Sequence, residues 1–317
     1  MYFPTSGVDV FPLIPFVVAF VVSFFTSMGG VSGAFLLLPF QVSVLGFTSP
    51  AVSPTNLVYN IVAIPSGVYR YIREGRMAWP LAWVIIAGDV PGVFIGAIFR
   101  IKYLPDPKHF KFFVGCVLLF IAIRLLYDLT PKARAQKAKT IALEEKFKER
   151  SNQIHRQRKT SSGGDAVIRT VEFSLARYTY EFYGETFSFN TIALFVLSFA
   201  VGIIGGTYGI GGGAIIAPFL IAVFGLPVYT IAGAALLGTF LTSIAGVVFY
   251  TIIAPIYAHT GLAIAPDWML GALFGAGGFF GMYCGARVQK YIPAKRIKLI
   301  LGLVILFLSL KYVSNIF

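Results

Sequence analysis

The sequence predicts an all-α integral membrane protein built from two inverted repeats of about five hydrophobic segments each, with re-entrant or broken helices at two glycine-rich motifs. Three observations carry that reading. Hydrophobic residues make up 57% of the chain and charged residues only 12%, with a mean hydropathy of +0.80, which leaves too little polar surface to clothe a soluble globule. Apolar runs fill about 11–47, 50–69, 77–99, 110–129, 190–225, 228–258, 266–286 and 297–313 without alternating polarity, the pattern of helices rather than barrel strands. Residues 29–40, GGVSGAFLLLPF, return in similar form as residues 208–219, YGIGGGAIIAPF.

The first apolar run follows MYFPTSGVDVF, which contains no Lys or Arg and so lacks the basic region of a secretory signal; it reads as mature structure. Cys116 and Cys284 fall inside apolar runs, where a thiol behaves as a small hydrophobe, and imply neither a disulfide framework nor a metal site. The formal charge of +13 is concentrated, because ten of the 26 basic residues lie within 132–159. A basic run beside a membrane span is a cytoplasmic topology determinant and a lipid headgroup contact. No nucleic-acid motif accompanies it, so nucleic acid is not an expected partner.

The chain therefore divides into a membrane repeat over 1–129, a basic cytoplasmic linker over 130–188 and a second membrane repeat over 189–317. Aligning Gly30 with Gly209 brings Gly33 onto Gly212, Pro39 and Phe40 onto Pro218 and Phe219, and Gly46 onto Gly225. With small gaps, GVFIG at 92–96 falls on GMYCG at 281–285. The expected segments are 12–28, 31–46, 50–70, 78–99 and 110–129, then 190–206, 209–225, 229–257, 267–287 and 295–314. An odd number per unit turns the second copy upside down relative to the first.

Placing 132–159 inside the cell also places Arg70, Arg73, Arg76, Arg287, Lys290, Lys295, Arg296 and Lys298 there, with both termini outside. Arg100, Lys102, Lys108 and Lys111 would then be external, four charges against eighteen. The later linker, RTVEFSLARYTYEFYGETFSFN, alternates aromatic or β-branched residues with polar ones and predicts a small β-hairpin around Gly184 and Glu185. A regulatory or docking role is open to it, although an ordered cover over one mouth is the plainer reading.

Within 16–46 the glycines fall near the middle, giving two arms of about 15 residues and about 22 Å, short of a hydrocarbon core of about 30 Å. A re-entrant hairpin fits this better than two spans. A turn at membrane depth leaves peptide groups without partners unless it faces protein or a water-filled cavity. Glycines permit positive φ and close approach of a ligand, and the arm that follows presents free N–H groups at the positive end of its dipole. A small anion is the natural guest, held at a site where two opposed hairpin tips meet. The alternative, glycines as helix-packing surfaces, is preferred for GVFIG and GMYCG but not for the two paired clusters.

The expected substrate-binding residues are Ser27, Gly29, Gly30, Ser32, Gly33, Asn56 and Asn60 in the first half, and Thr207, Tyr208, Gly209, Gly211, Gly212, Gly213, Thr239, Thr242 and Ser243 in the second. Asn56 and Asn60 share a helix face, and as neutral donors they suit an anion path; plain helix–helix hydrogen bonding is an equal alternative. Asp89 lies mid-helix, where an acid suggests a proton-coupling carboxylate. The stronger reading is that Pro91 breaks the helix beside it, leaving Asp89 to bond freed backbone or cap the next turn. Arg124 and Lys311 stand near helix ends, where they reach headgroups. His109, His155 and His259 are expected in loops and form no metal-ligand spacing; no nucleophile–base pair is recognisable, so no enzyme and no cofactor are expected.

The two glycine motifs, NLVYNIVAIPSGVYRYIREGRMAW after the first of them, and GDVPGVFIGAIF together resemble the TauE/SafE family of sulfite and organosulfonate exporters. The likeness spans nearly the whole chain except about 130–188, where the family's linker is shorter. The resemblance implies outward transport of a small sulfur oxyanion, such as sulfite, sulfoacetate or a related sulfonate, across the bacterial cytoplasmic membrane. Two alternatives stay open: another small anion as cargo, or a membrane scaffold or sensor acting through the basic linker. Scarcity of acids, Met and His in the core argues against a metal cargo.

Overall fold

A computed structural model describes residues 1–29, 32–73, 77–131, 133, 168–182, 185–224, 226, 228–288 and 294–314. The basic run 132–159, apart from Ala133, falls outside the described residues, as do Gly30, Arg76, Gly184, Gly225 and Lys290. The first half holds α1 (Leu13–Gly29), α2 (Ala34–Ser43), α3 (Val52–Ala63), α4 (Pro65–Arg73), α5 (Trp79–Lys102) and α6 (Pro107–Tyr127). The second holds α7 (Thr191–Tyr208), α8 (Gly213–Phe224), α9 (Val228–Ile253), the 3-10 turn Ala254–Thr260, α10 (Trp268–Val288) and α11 (Ala294–Ser314). Among the described residues four stretches are long and apolar enough to cross a bilayer: α5, α6, α7 and Thr230–Thr260.

Local chemistry sets the boundaries. Asp106 caps α6, its carboxylate accepting from the N–H of Lys108 at 2.7 Å and of His109 at 3.2 Å, with Pro107 in the first position. Those two bonds hold the Asp106 carboxyl below the usual aspartate range. Asn190 caps α7 in the same way, accepting from Ala193 at 2.9 Å. The expected segment 50–70 is two helices, because Pro65 has no N–H to continue the ladder; α3 ends at Ala63 and α4 begins at Pro65. Pro91, by contrast, does not break its helix, and α5 runs unbroken past it. His109 lies in the first turn of α6 and His259 in the 3-10 turn rather than in loops.

Two glycine ladders hold the long helices together. On α5, Gly88, Gly92 and Gly96 face the backbone carbonyls of Phe195, Phe199 and Ile203 on α7 so closely that a methyl at Gly92 would stand 2.5 Å from the Phe199 oxygen. On α10, Gly277, Gly281 and Gly285 face the carbonyls of Phe16, Phe20 and Phe24 on α1, where a methyl would overlap each oxygen. In lipid, where apolar burial does not drive helices together, such backbone proximity supplies the van der Waals attraction. Other pairs put α3 on α10, α9 on α5, α9 on α3 and α6 on α11. Arg100, counted above among external charges, is buried, stacked 3.7 Å over the Phe110 ring and donating to the carbonyls of Leu104 and Ser49.

Strands appear in two places. A short hairpin, β1 (Tyr2–Phe3) with β2 (Val8–Asp9), is tied to the start of α10 by Ser6, whose hydroxyl donates to Asp267 at 2.8 Å. The second is an antiparallel sheet of β3 (Ile168–Phe173), β4 (Arg177–Phe182) and β5 (Glu185–Asn190), one strand more than the alternation predicted. Tyr178 and Tyr180 pack inward from β4, and the Tyr180 hydroxyl lies 2.8 Å from that of Thr230 on α9. Burial pushes both tyrosine hydroxyls above their ordinary pKa, so they remain protonated.

Candidate functional site: two helix breaks and a buried carboxylate

The first break lies between α1 and α2. The arms are unequal rather than matched: α1 has 17 residues, about 25 Å, and α2 has 10, about 15 Å. The Ser32 hydroxyl accepts from the Ala34 N–H at 3.3 Å, and the Gly33 carbonyl receives Leu36 and Leu37 at 3.0 and 3.1 Å. Gly33 has φ −68, ordinary right-handed backbone, so space rather than torsion demands glycine here. A methyl would stand 2.6 Å from the Tyr59 hydroxyl and 3.1 Å from that of Ser23, and those two hydroxyls are themselves 2.8 Å apart.

The second break has a different construction. α7 stops because Gly209 adopts φ +88, and Gly211 follows at φ +72, two left-handed residues that L side chains rarely tolerate. Gly212 then opens α8, its carbonyl accepting from Ile215 at 3.0 Å and Ile216 at 3.1 Å. The walls are close. A methyl on Gly209 would stand 2.6 Å from Ser53 Cα, and one on Gly213 would overlap the Ala235 carbonyl and the Thr239 hydroxyl.

One side chain ties the breaks together. Asn56 Nδ2 donates to the Ala34 carbonyl at the start of α2, 3.0 Å, and to the Gly209 carbonyl at the end of α7, 2.9 Å. Its Oδ1 accepts from Gln41 Nε2 at 3.1 Å. One turn on, Asn60 Nδ2 donates to the Ile210 carbonyl at 2.9 Å and to Ser243 at 3.3 Å. Both amides therefore spend their donors on protein groups, chiefly carbonyls at or near helix ends. The proline that closes the first motif is answered from the second: Pro39 has no N–H for the Phe35 carbonyl, and the Tyr208 hydroxyl donates to it at 2.8 Å.

Asp89 is fully buried on α5, and neither carboxyl oxygen has a hydrogen-bond partner. It bonds no freed backbone and caps no turn, which corrects the stronger reading above. Its carboxyl lies against Gly212, where a methyl group would overlap it. Other expected residues stand differently. Thr207 bonds the carbonyls of Ile203 and Gly96, Thr239 that of Ala235, and Thr242 that of Gly238. Ser27 bonds the Phe24 carbonyl and faces Gly285 of α10, apart from the junction. Gly29 ends α1, and Gly30 lies outside the described residues. Arg124 stands 3.8 Å from Asp128, the residue that follows its helix.

Sequence reasoning passed over Gln41, Tyr59 and Ser23. The available signal was an amide alone in the apolar FLLLPFQV and a tyrosine set between Asn56 and Asn60. Two surface hollows open at the central sheet, one by Arg177 and Asn190, the other between Trp83, Phe173, Leu175 and Phe195; neither touches the breaks.

Residues 15–312 match the model of the family described as sulfite exporter TauE/SafE. The chain is also similar to the "Probable membrane transporter protein YunE" of Bacillus subtilis (strain 168), 22% identical over 256 residues, 80% of this chain and 77% of that protein. No solved structure matches it. With a match of that length joined to long apolar helices, the chain belongs to the TauE/SafE sulfite exporter family and is a multi-pass membrane transporter.

Proposed function

We propose that this transporter exports a small sulfur-containing anion, sulfite, sulfoacetate or a related sulfonate, across the cytoplasmic membrane by alternating access. The observation that carries this reading is the approach of the two helix breaks to within reach of one Asn56 amide. α2 and α8 both begin at this junction, so the positive ends of their dipoles converge on it. Such a place attracts negative charge without a fixed cation to trap it.

Inverted repeats are part of the proposal. The offset of 179 that superimposes the glycine motifs also carries Phe16, Phe20 and Phe24 onto Phe195, Phe199 and Ile203, the residues that receive the two glycine ladders. Helix pairings exchange in the same way: α1 on α10 is answered by α7 on α5, and α3 on α10 by α9 on α5. In this arrangement α2 and α8 are half-length returns of re-entrant pairs, the basic linker faces the cytoplasm and both termini face outward. Gly209, Gly212 and Gly213 are packed shut against α3, α5 and α9, the closed stage of the cycle. Export begins when this junction parts on the inner side.

An inside-negative potential of about 100 mV already favours anion exit by roughly 2.3 kcal/mol per charge, so uniport suffices. Asp89 is where a coupling proton would bind. In proteoliposomes, labelled sulfite and sulfoacetate are expected to leave far faster than from protein-free vesicles. Gly213→Val is expected to abolish that flux, whereas deletion of 134–167 leaves it. Flux equal to protein-free vesicles for every small anion tried, or the reverse pattern of variants, would sink the reading; the reverse pattern would favour a scaffold acting through the linker.

A further inference from the structure

The Asp89 carboxyl occupies the place at which an anion would meet α8. Gly212 is the residue whose carbonyl starts the first turn of that helix, and the carboxyl lies directly on it. The group is fully buried and aimed at a helix N-terminus, yet both oxygens lack partners. A carboxyl so placed lies at the positive end of the dipole while leaving its own hydrogen-bonding capacity unused. That combination describes an occupant suited to being displaced.

Nothing else nearby supplies or takes the charge. The elements packed around Asp89 are α7, α9 and the 209–212 connection to α8. Among them α7, α8 and α9 contain no Asp, Glu, Lys, Arg, His or Cys, and their ionisable groups are Tyr208, Tyr229 and Tyr250. On α5 itself the next charges are Arg100 and Lys102, the nearer one eleven residues or about 16 Å along the axis. On α7 the residue against Asp89 is Gly202, and Ser198 and Phe199 stand against the adjoining Gly88, all neutral. The charge at this end of α8 is therefore set by Asp89 and by whatever anion enters.

We propose that Asp89 is a proton-linked counter-anion: neutral while it is packed dry against Gly212 in the closed transporter, it ionises when the junction opens to water, takes the α8 N-terminus itself and excludes the substrate, and on taking a proton it yields that place to the substrate anion. The inference rests on the anion-export reading. The proton is taken from water as the anion binds and returned when the anion leaves, so one proton bound accompanies one anion bound and no bond other than O–H is made or broken. Because two negative groups cannot share one helix end at close range, proton and anion occupancy are linked.

The test uses sulfoacetate as the probe, because its charge is constant between about pH 5.5 and 8. Its apparent affinity for the full-length wild-type protein is measured across that range by anion-dependent thermal protection in detergent and by efflux from proteoliposomes. Affinity should weaken with rising pH, by up to about tenfold per unit, the slope of one linked proton. Asp89→Asn should bind the anion with a flat pH profile and with an affinity at pH 8 at least tenfold above wild type. A flat wild-type profile overturns the proposal without recourse to any variant, and so does an Asp89→Asn protein that keeps the wild-type slope. Wild-type protein that moves and binds no tested anion would instead refute the export reading beneath it, and this inference with it.

Discussion

The two helix breaks are spelled almost alike and built differently. At the first, Gly33 keeps a right-handed backbone inside a ring of hydroxyls from Ser23, Thr26 and Tyr59. At the second, Gly209 and Gly211 take left-handed torsions beside a buried carboxylate, and their neighbours are backbone atoms of Ser53 and side chains of Thr239 and Ser243. The comparison teaches that a repeated motif preserves the position of a break while its neighbours decide its character. One break is lined by adjustable neutral groups, and the other joins left-handed glycines to a buried, unpartnered carboxyl.

Substitutions at the breaks should expose that difference in order of size. Gly209→Val combines a left-handed penalty of about 1–2 kcal/mol with overlap against Ser53 backbone, and a total loss above about 3 kcal/mol is expected by denaturant unfolding in detergent. Asn56→Ala removes the amide serving both breaks, leaves Gln41 Nε2 without its acceptor, and should cost about 2–4 kcal/mol in the same assay. If the two breaks do not depend on each other, that loss will fall to the level of a single hydrogen bond. Tyr208→Phe should cost about 1–2 kcal/mol by orphaning the Phe35 carbonyl. Much of that cost should vanish in a Pro39→Ala background, where a restored N–H serves the same oxygen; an unchanged cost would contradict the pairing.

Gly33→Ala should be milder, about 1 kcal/mol, because the methyl meets the ends of side chains rather than backbone, and Tyr59→Phe should recover part of it. The smallest effect lies away from both breaks. Asp106 has a depressed pKa, so its stabilising cap is complete above the unfolded value of about 3.9 and is lost as pH falls through the lower folded value. The difference in thermal midpoint between wild type and Asp106→Ala should accordingly be steady at neutral pH and shrink only below about pH 4.

Much of this was legible in the chain. Long apolar runs announced α5, α6, α7 and α9, and the glycine clusters announced where two helices stop. GVFIG and GMYCG read correctly as packing surfaces because glycines four apart share one helix face. Pro91 misled because a proline removes one hydrogen bond without ending a helix that is clamped on both sides of it by Gly88 and Gly92 against α7. Pro65 did end one, and composition alone does not separate the two cases. The partners of Asn56 and Asn60 were invisible for a deeper reason: their acceptors lie 150 or more residues away or across a break, and no local pattern encodes which carbonyl a fold will leave free.

The paired glycine ladders have a consequence for how the molecule comes into being. Each ladder belongs to one half and its carbonyl track to the other, so the two halves are knitted through each other rather than set side by side. A ribosome that has released only the first 129 residues has made α5 without the helix it is shaped to clasp, and α1 without its clasp. Severing the chain within the linker should thus yield fragments that are degraded when alone and become a working transporter when made together in one cell.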